Sequence, residues 1–129
     1  MYKILLVDDQ ADIRRLMRVT LGKTFEILEA EDGDSALQLA RSEAPAMVLL
    51  DVMMPGSMDG LSVLDAIRRE PHLQDTRVIM VTARAGAKDI EEGVRRGADA
   101  YFTKPFSPLQ LIACVQETLS KGDGRADPK

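Results

Sequence analysis

Asp8 and Asp9 follow the apolar run at residues 4–7, Asp51 follows another at 47–50, and Thr82 ends a third at 78–81. A fifth, weaker unit supplies Lys104 and Pro105. If these runs are neighbouring parallel strands, three carboxylates, a hydroxyl and an ammonium meet at one edge. Carboxylates a few ångströms apart repel and drive each other toward protonation unless a cation intervenes. Hard oxygen donors without His or thiolate partners suit Mg²⁺, with Mn²⁺ as the alternative, rather than Zn²⁺. Three negative charges are then matched by two on the metal and one on Lys104. Such a site accepts a phosphoryl group, because the metal and Lys104 can bind its oxygens while Thr82 donates a hydrogen bond. Asp51, alone at the end of what should be the central strand, is the nucleophile, and the paired Asp8 and Asp9 hold the metal. The expected product is an aspartyl phosphate.

The elements that position these groups follow from hydrophobic period. Continuous apolar runs indicate strands covered on both faces. Residues 25–28 and 98–102 add two shorter candidates, making five. Between them Ile13, Leu16, Met17 and Leu21 share a helical face, as do Leu61, Leu64 and Ile67, and then Leu111, Ile112, Val115 and Leu119. Residues 33–43 and 87–96 complete five helices. Asp12, Asp34 and Ser107 suit N-terminal caps or first turns, Pro108 a first turn, and Gly22 and Gly97 helix ends. Strand-helix alternation implies an α/β fold, a doubly wound five-stranded parallel sheet with helices on both faces. Ligands in that architecture collect beyond the carboxyl ends of the strands, where the polar residues stand.

Composition is consistent with this. The 129 residues, 45% apolar and 29% charged, suit a single domain over residues 1–121, with 122–129 read as a flexible tail or the start of a linker. A net charge of −4 makes direct nucleic-acid binding a poor expectation. One cysteine and no leader pattern favour a cytoplasmic setting, and the longest apolar runs fall far short of the roughly 20 residues a membrane span needs.

Taken together, Leu5-Leu6-Val7-Asp8-Asp9, Leu49-Leu50-Asp51-Val52-Met53-Met54-Pro55, Val81-Thr82-Ala83 and Tyr101-Phe102-Thr103-Lys104-Pro105-Phe106 resemble the receiver domain of bacterial response regulators, the CheY-like family. The resemblance spans residues 2 to about 121. It implies a flavodoxin-like fold, Mg²⁺, and phosphoryl transfer from a sensor histidine kinase or phosphotransfer protein. By position it implies Asp51 as phosphoacceptor, Asp8 and Asp9 as metal carboxylates, and Met53 as the residue whose backbone carbonyl binds the metal. Thr82 and Lys104 match the switch hydroxyl and the phosphate-binding lysine, Ala83 a small residue giving phosphoryl access, and Tyr101 the aromatic that moves with Thr82. Pro105 has a structural part, turning the chain after the lysine. The implied output is a protein-binding surface on the fourth helix, fifth strand and fifth helix. No turnover beyond Mg²⁺-dependent self-phosphorylation and autodephosphorylation is implied, so the chain is not expected to be an enzyme.

Three departures bear on this reading. The loop Gly56-Ser57-Met58 is one residue longer than the family's commonest form. Met53 and Arg84 stand two residues beyond Asp51 and Thr82, where the family sets phosphoryl lifetime, and a bulky pair there is expected to hinder water. Ala100, Gln110 and Cys114 replace charges with which receivers of the OmpR and PhoB type dimerise, which leaves a monomer or weak dimer.

Plainer readings compete at several positions. An isolated Asp8-Asp9 pair is a solvated turn, but Asp51, Thr82 and Lys104 in register make it a site. Met53, Met54 and Met58 read as adaptable packing rather than a soft-metal site. His72 reads as an exposed loop residue, Cys114 as a partly buried thiol, and residues 88–96 as a solvated charged face. Tyr101 is either core packing or the switch, and only the family match favours the switch. No Walker A or Gly-x-Gly-x-x-Gly turn follows any strand. A haloacid-dehalogenase phosphatase needs a second Asp where Met53 stands. The remaining alternative is a phosphorylation-independent interaction module on the same fold.

Overall fold

In the computed structural model, which describes residues 1–84 and 86–126, strands and helices alternate along the chain. The strands are β1 (Lys3–Val7), β2 (Glu26–Ala30), β3 (Met47–Leu50), β4 (Arg77–Thr82) and β5 (Ala100–Thr103). The helices are α1 (Ala11–Leu21), α2 (Gly33–Glu43), α3 (Gly60–Arg69), α4 (Ala87–Arg95) and α5 (Pro108–Ala126), with a short 3-10 turn at Pro71–Leu73 that carries the exposed His72. All strand pairs are parallel, in the order β2-β1-β3-β4-β5. This is the flavodoxin-like arrangement, with β3 in the middle. None of the described helices is long and apolar enough to cross a membrane.

Two-sided burial explains the unbroken apolar runs. Ile4, Leu6, Met47, Leu49, Ile79 and Val81 pack toward Met17 and Leu21 of α1 and Leu111 and Val115 of α5. Their alternates Leu5, Val7, Val48, Leu50, Val78 and Met80 pack on the other face against α2 and α3. Each of these three strands, β1, β3 and β4, therefore spends its period-2 alternation on two cores rather than on a core and water. Leu16, which shares the apolar stripe of α1, is exposed, since the stripe is wider than the contact with the sheet.

Helix ends are set by local chemistry. Asp32 accepts the Ser35 N–H at 2.8 Å and Asp59 the Ser62 N–H at 2.9 Å, so these residues cap α2 and α3. Asp12 and Asp34 lie in first turns, and Gln10 stands at the N-cap of α1. Ser107 and Gln110 exchange reciprocal bonds at the start of α5, a capping box. Gly97, at φ +110°, turns the chain after α4. The α5 helix continues to Ala126, past the boundary at residue 121 read from composition. A helix backbone tolerates glycines such as Gly122 and Gly124 at about 1 kcal/mol each. Residues 127–129 of the expected tail lie outside the described residues.

Candidate functional site

Because β2 and β3 lie on opposite sides of β1, the connections leaving β1 and β3 diverge and open a crevice above their carboxyl ends. Asp8 and Asp9 follow β1 and Asp51 follows β3, so the topology places all three in that crevice. Each offers an oxygen within 4.8 Å of the others'. Asp8 and Asp51 are buried, and Asp9 is exposed. The Asp51 backbone is held by its N–H on the Val7 carbonyl at 3.0 Å. A Cβ on Gly60 would stand 2.0 Å from the Asp51 carbonyl oxygen, so only glycine lets α3 begin so close to the site.

Lys104 arrives from the end of β5, its own N–H on the Thr82 carbonyl at 2.9 Å. Its Nζ donates to Asp8 Oδ2 at 2.7 Å, Asp51 Oδ2 at 3.1 Å and Gln10 Oε1 at 3.3 Å. The ammonium thus bridges the two buried carboxylates. Burial opposes its charge, but bonds to Asp8 and Asp51 prevail and hold Lys104 above the ordinary lysine range. Asp8 is also pushed up, by burial first, with Lys104 and the Gln10 N–H working against that. The asymmetry follows from depth, since the Asp8 side chain is 1% exposed and that of Lys104 12%. The Lys104–Pro105 peptide is cis.

Three turns of one kind surround the carboxylates. Asp8 Oδ1 accepts the Gln10 N–H at 2.9 Å, Asp51 Oδ1 the Met53 N–H at 3.1 Å, and Thr82 Oγ1 the Arg84 N–H at 3.3 Å. In each, a side-chain oxygen at a strand end bonds the backbone two residues on. Thr82 is fully buried, Ala83 beside it is exposed, and Met53 is 58% exposed. Tyr101 lies in β5, half-buried, and its ring carbons would be 3.1 Å from a Cβ on Gly93 of α4. Burial and the Asp89 carboxylate push its hydroxyl above the ordinary tyrosine range.

The donor set fits a hard divalent cation: three carboxylates at one point, no His or thiolate among them, and one ammonium near enough to share the charge. Asp8, Asp9, Asp51 and Lys104 are brought together as the sequence predicts, and Thr82 ends the strand beside them. Gln10 and Arg14, whose Nη1 donates to the Asp8 carbonyl at 2.6 Å, belong to the surroundings of the site and were not singled out by sequence. The only available signal for Arg14 was its place one helical turn into α1. The longer loop brings Met58 against the start of α2, where a Cβ on Gly33 would meet Met58 Cβ at 2.6 Å.

Residues 4–116 match the response regulator receiver domain. The chain is 42% identical over 122 residues to the probable transcriptional regulator ycf27 of Porphyra purpurea, covering 94% of this chain and 49% of that protein. It is 38% identical over 120 residues to the phosphate regulon transcriptional regulatory protein PhoB of Escherichia coli (strain K12), covering 92% and 52%. The solved structure of the chemotaxis response regulator CheY4 of Vibrio cholerae matches with a TM-score of 0.86 at 32% identity, over 92% of this chain and 98% of that one. The chain spans about half the length of the curated relatives it matches.

Proposed function

The chain belongs to the response regulator receiver domain family, and on that premise we propose that it is the phosphoacceptor of a two-component system, phosphorylated on Asp51 by a sensor histidine kinase or phosphotransfer protein. The observation that carries this reading is the Asp51 carboxylate, buried within reach of Lys104 and sharing one point with Asp8 and Asp9. An Asp51 oxygen attacks the phosphorus of a phosphohistidine, the new P–O bond forms as the P–N bond breaks, and the imidazole keeps the electron pair and takes up a proton. Asp8, Asp9, Asp51 and the Met53 backbone carbonyl would hold Mg²⁺, which supplies the positive charge that offsets carboxylate and phosphoryl oxygens. Lys104 gives up its contact with Asp51 for a phosphoryl oxygen. Thr82 turns from the Arg84 N–H to donate to another, and the small Ala83 leaves the approach open.

Tyr101 follows Thr82, and the surface of α4, β5 and α5 presents a changed face to a downstream protein. Output is binding, so the only chemistry is self-phosphorylation and its hydrolysis. The domain works in the cytoplasm as a monomer or weak dimer. The ycf27 and PhoB relatives are named as transcriptional regulators, whereas this acidic domain is a poor match for the phosphate backbone and contacts protein rather than nucleic acid.

The test is intact mass after incubation with acetyl phosphate, with and without Mg²⁺, on the wild type and Asp51→Asn. One phosphoryl adduct requiring both Mg²⁺ and Asp51 is the expected result. No adduct, together with an amide spectrum that beryllofluoride leaves unchanged, would instead favour the phosphorylation-independent interaction module.

A further inference from the structure

Arg14 takes no part in the phosphoryl chemistry, yet it is bound at two points beside the site. Its Nη1 donates to the Asp8 backbone carbonyl at 2.6 Å, and its Nε donates to Glu29 Oε1 at 3.2 Å. The other Glu29 oxygen takes Arg18 Nη1 at 2.6 Å. Arg14 and Arg18 therefore share one carboxylate of β2, but only Arg14 reaches Asp8, and its side chain is 15% exposed against 47% for Arg18.

The Asp8 carbonyl lies one residue beyond the end of β1, where the sheet ladder has stopped. The Asp8 N–H is still tied to the sheet, on the Ala30 carbonyl at 3.2 Å. Arg14 thus fixes the peptide that joins Asp8 to Asp9. The Asp9 side chain has no hydrogen bond or ion pair among the described residues, so that peptide plane is what aims it. We propose that Arg14, oriented by Glu29, is a positioning residue for the cation site, setting the Asp8–Asp9 peptide so that both carboxylates converge on one point. The inference rests on the Mg²⁺ reading above.

Charge and geometry pull in opposite directions here, which makes the inference decidable. A guanidinium beside a cation site repels the incoming cation, so removing it as a mere charge should tighten Mg²⁺ binding or leave it unchanged. Removing it as a positioning group should weaken binding, by about tenfold on the scale of groups that orient metal ligands. Arg14→Lys keeps the charge and one donor but loses the two-pronged geometry, so its affinity should fall between wild type and Arg14→Met. Arg18→Met loses only the outer contact on Glu29 and should bind as the wild type does.

The measurement is the Mg²⁺ dissociation constant from amide chemical shifts of the full chain, for the wild type and these three variants without any phosphodonor. Weakening in the order Arg14→Lys, then Arg14→Met, with Arg18→Met unchanged, is the expected result. Should Arg14→Met lose the native amide spectrum, Arg14→Lys against Arg18→Met decides by the same criterion. Affinity in the Arg14 variants equal to or tighter than wild type overturns the inference. So does an equal loss in Arg18→Met, which would assign the effect to the anchoring of α1 on β2. A wild type with no saturable Mg²⁺ response sinks the cation reading itself, a separate outcome.

Discussion

At the residue scale, the three strand-end turns govern what stands around the mouth of the site. Because the side-chain oxygens of Asp8, Asp51 and Thr82 each bond the backbone two residues on, Gln10, Met53 and Arg84 are placed around the carboxylates. Gln10 is already engaged with Lys104 Nζ. Arg84 is drawn toward α4, its Nε 3.8 Å from Asp89. Met53 is left as the apolar member, tied to Asp51 by its backbone and mostly in solvent by its side chain. Hydrolysis of an aspartyl phosphate needs a water in line behind the phosphorus, and a polar side chain at residue 53 can orient one where a thioether cannot. Met53→Asn is therefore expected to shorten the half-life of the phosphorylated protein several-fold, read as decay of the adduct mass after the donor is removed. A longer-lived variant would count against the barrier assigned to Met53.

At the element scale, the N-terminal cap of α2 gives a pH signature separate from the site. The bond from the Ser35 N–H holds the Asp32 carboxyl below the ordinary aspartate range, with the Ser35 side chain adding to it. A depressed carboxyl stabilises the fold above its unfolded value, about pH 4, and that contribution disappears as pH falls through the lower folded value. The urea midpoint of the wild type should thus exceed that of Asp32→Ala by a constant margin above roughly pH 5, and the margin should close in acid. A margin that persists in acid would mean that α2 does not depend on the charged cap. The same helix marks the limit of what sequence shows. The strands were legible because residues 4–7, 47–50 and 78–81 are apolar at every position, which only two-sided burial explains. The meeting of Asp8, Asp51 and Lys104 followed from that topology. Asp32 and Asp59 escaped notice as caps because a cap is a backbone geometry, and Asp34 two residues away satisfies the same composition rule. Arg14 on the Asp8 carbonyl depends on how α1 docks against β2, which no spacing along the chain encodes.

At the scale of the whole molecule, the site and the proposed output surface share β4, β5 and the start of α4. Thr82 bonds the Arg84 N–H, Arg84 faces Asp89 of α4, and Asp89 acts electrostatically on Tyr101 of β5. The ring of Tyr101 closes the circuit by packing against α4 at Gly93, with Met80 of β4 beneath. Phosphorylation of an already charged carboxylate adds about one net negative charge at pH 7 and three acceptor oxygens placed further out, which draw Lys104 and Thr82 and bias a two-state arrangement of these elements. Proximity alone does not establish coupling, which requires a perturbation that separates the chemistry from its readout. Gly93→Ala supplies one, since its Cβ would press on the Tyr101 ring at 3.1 Å while touching none of the groups that hold the phosphoryl. Its acetyl phosphate adduct should match the wild type in yield and Mg²⁺ dependence. Amide hydrogen exchange in α4, which beryllofluoride is expected to alter in the wild type, should respond less in the variant because the ring no longer has its place against the helix. An α4 response equal to that of the wild type would remove the Tyr101–Gly93 contact from the route and leave the Arg84–Asp89 pair to carry the signal.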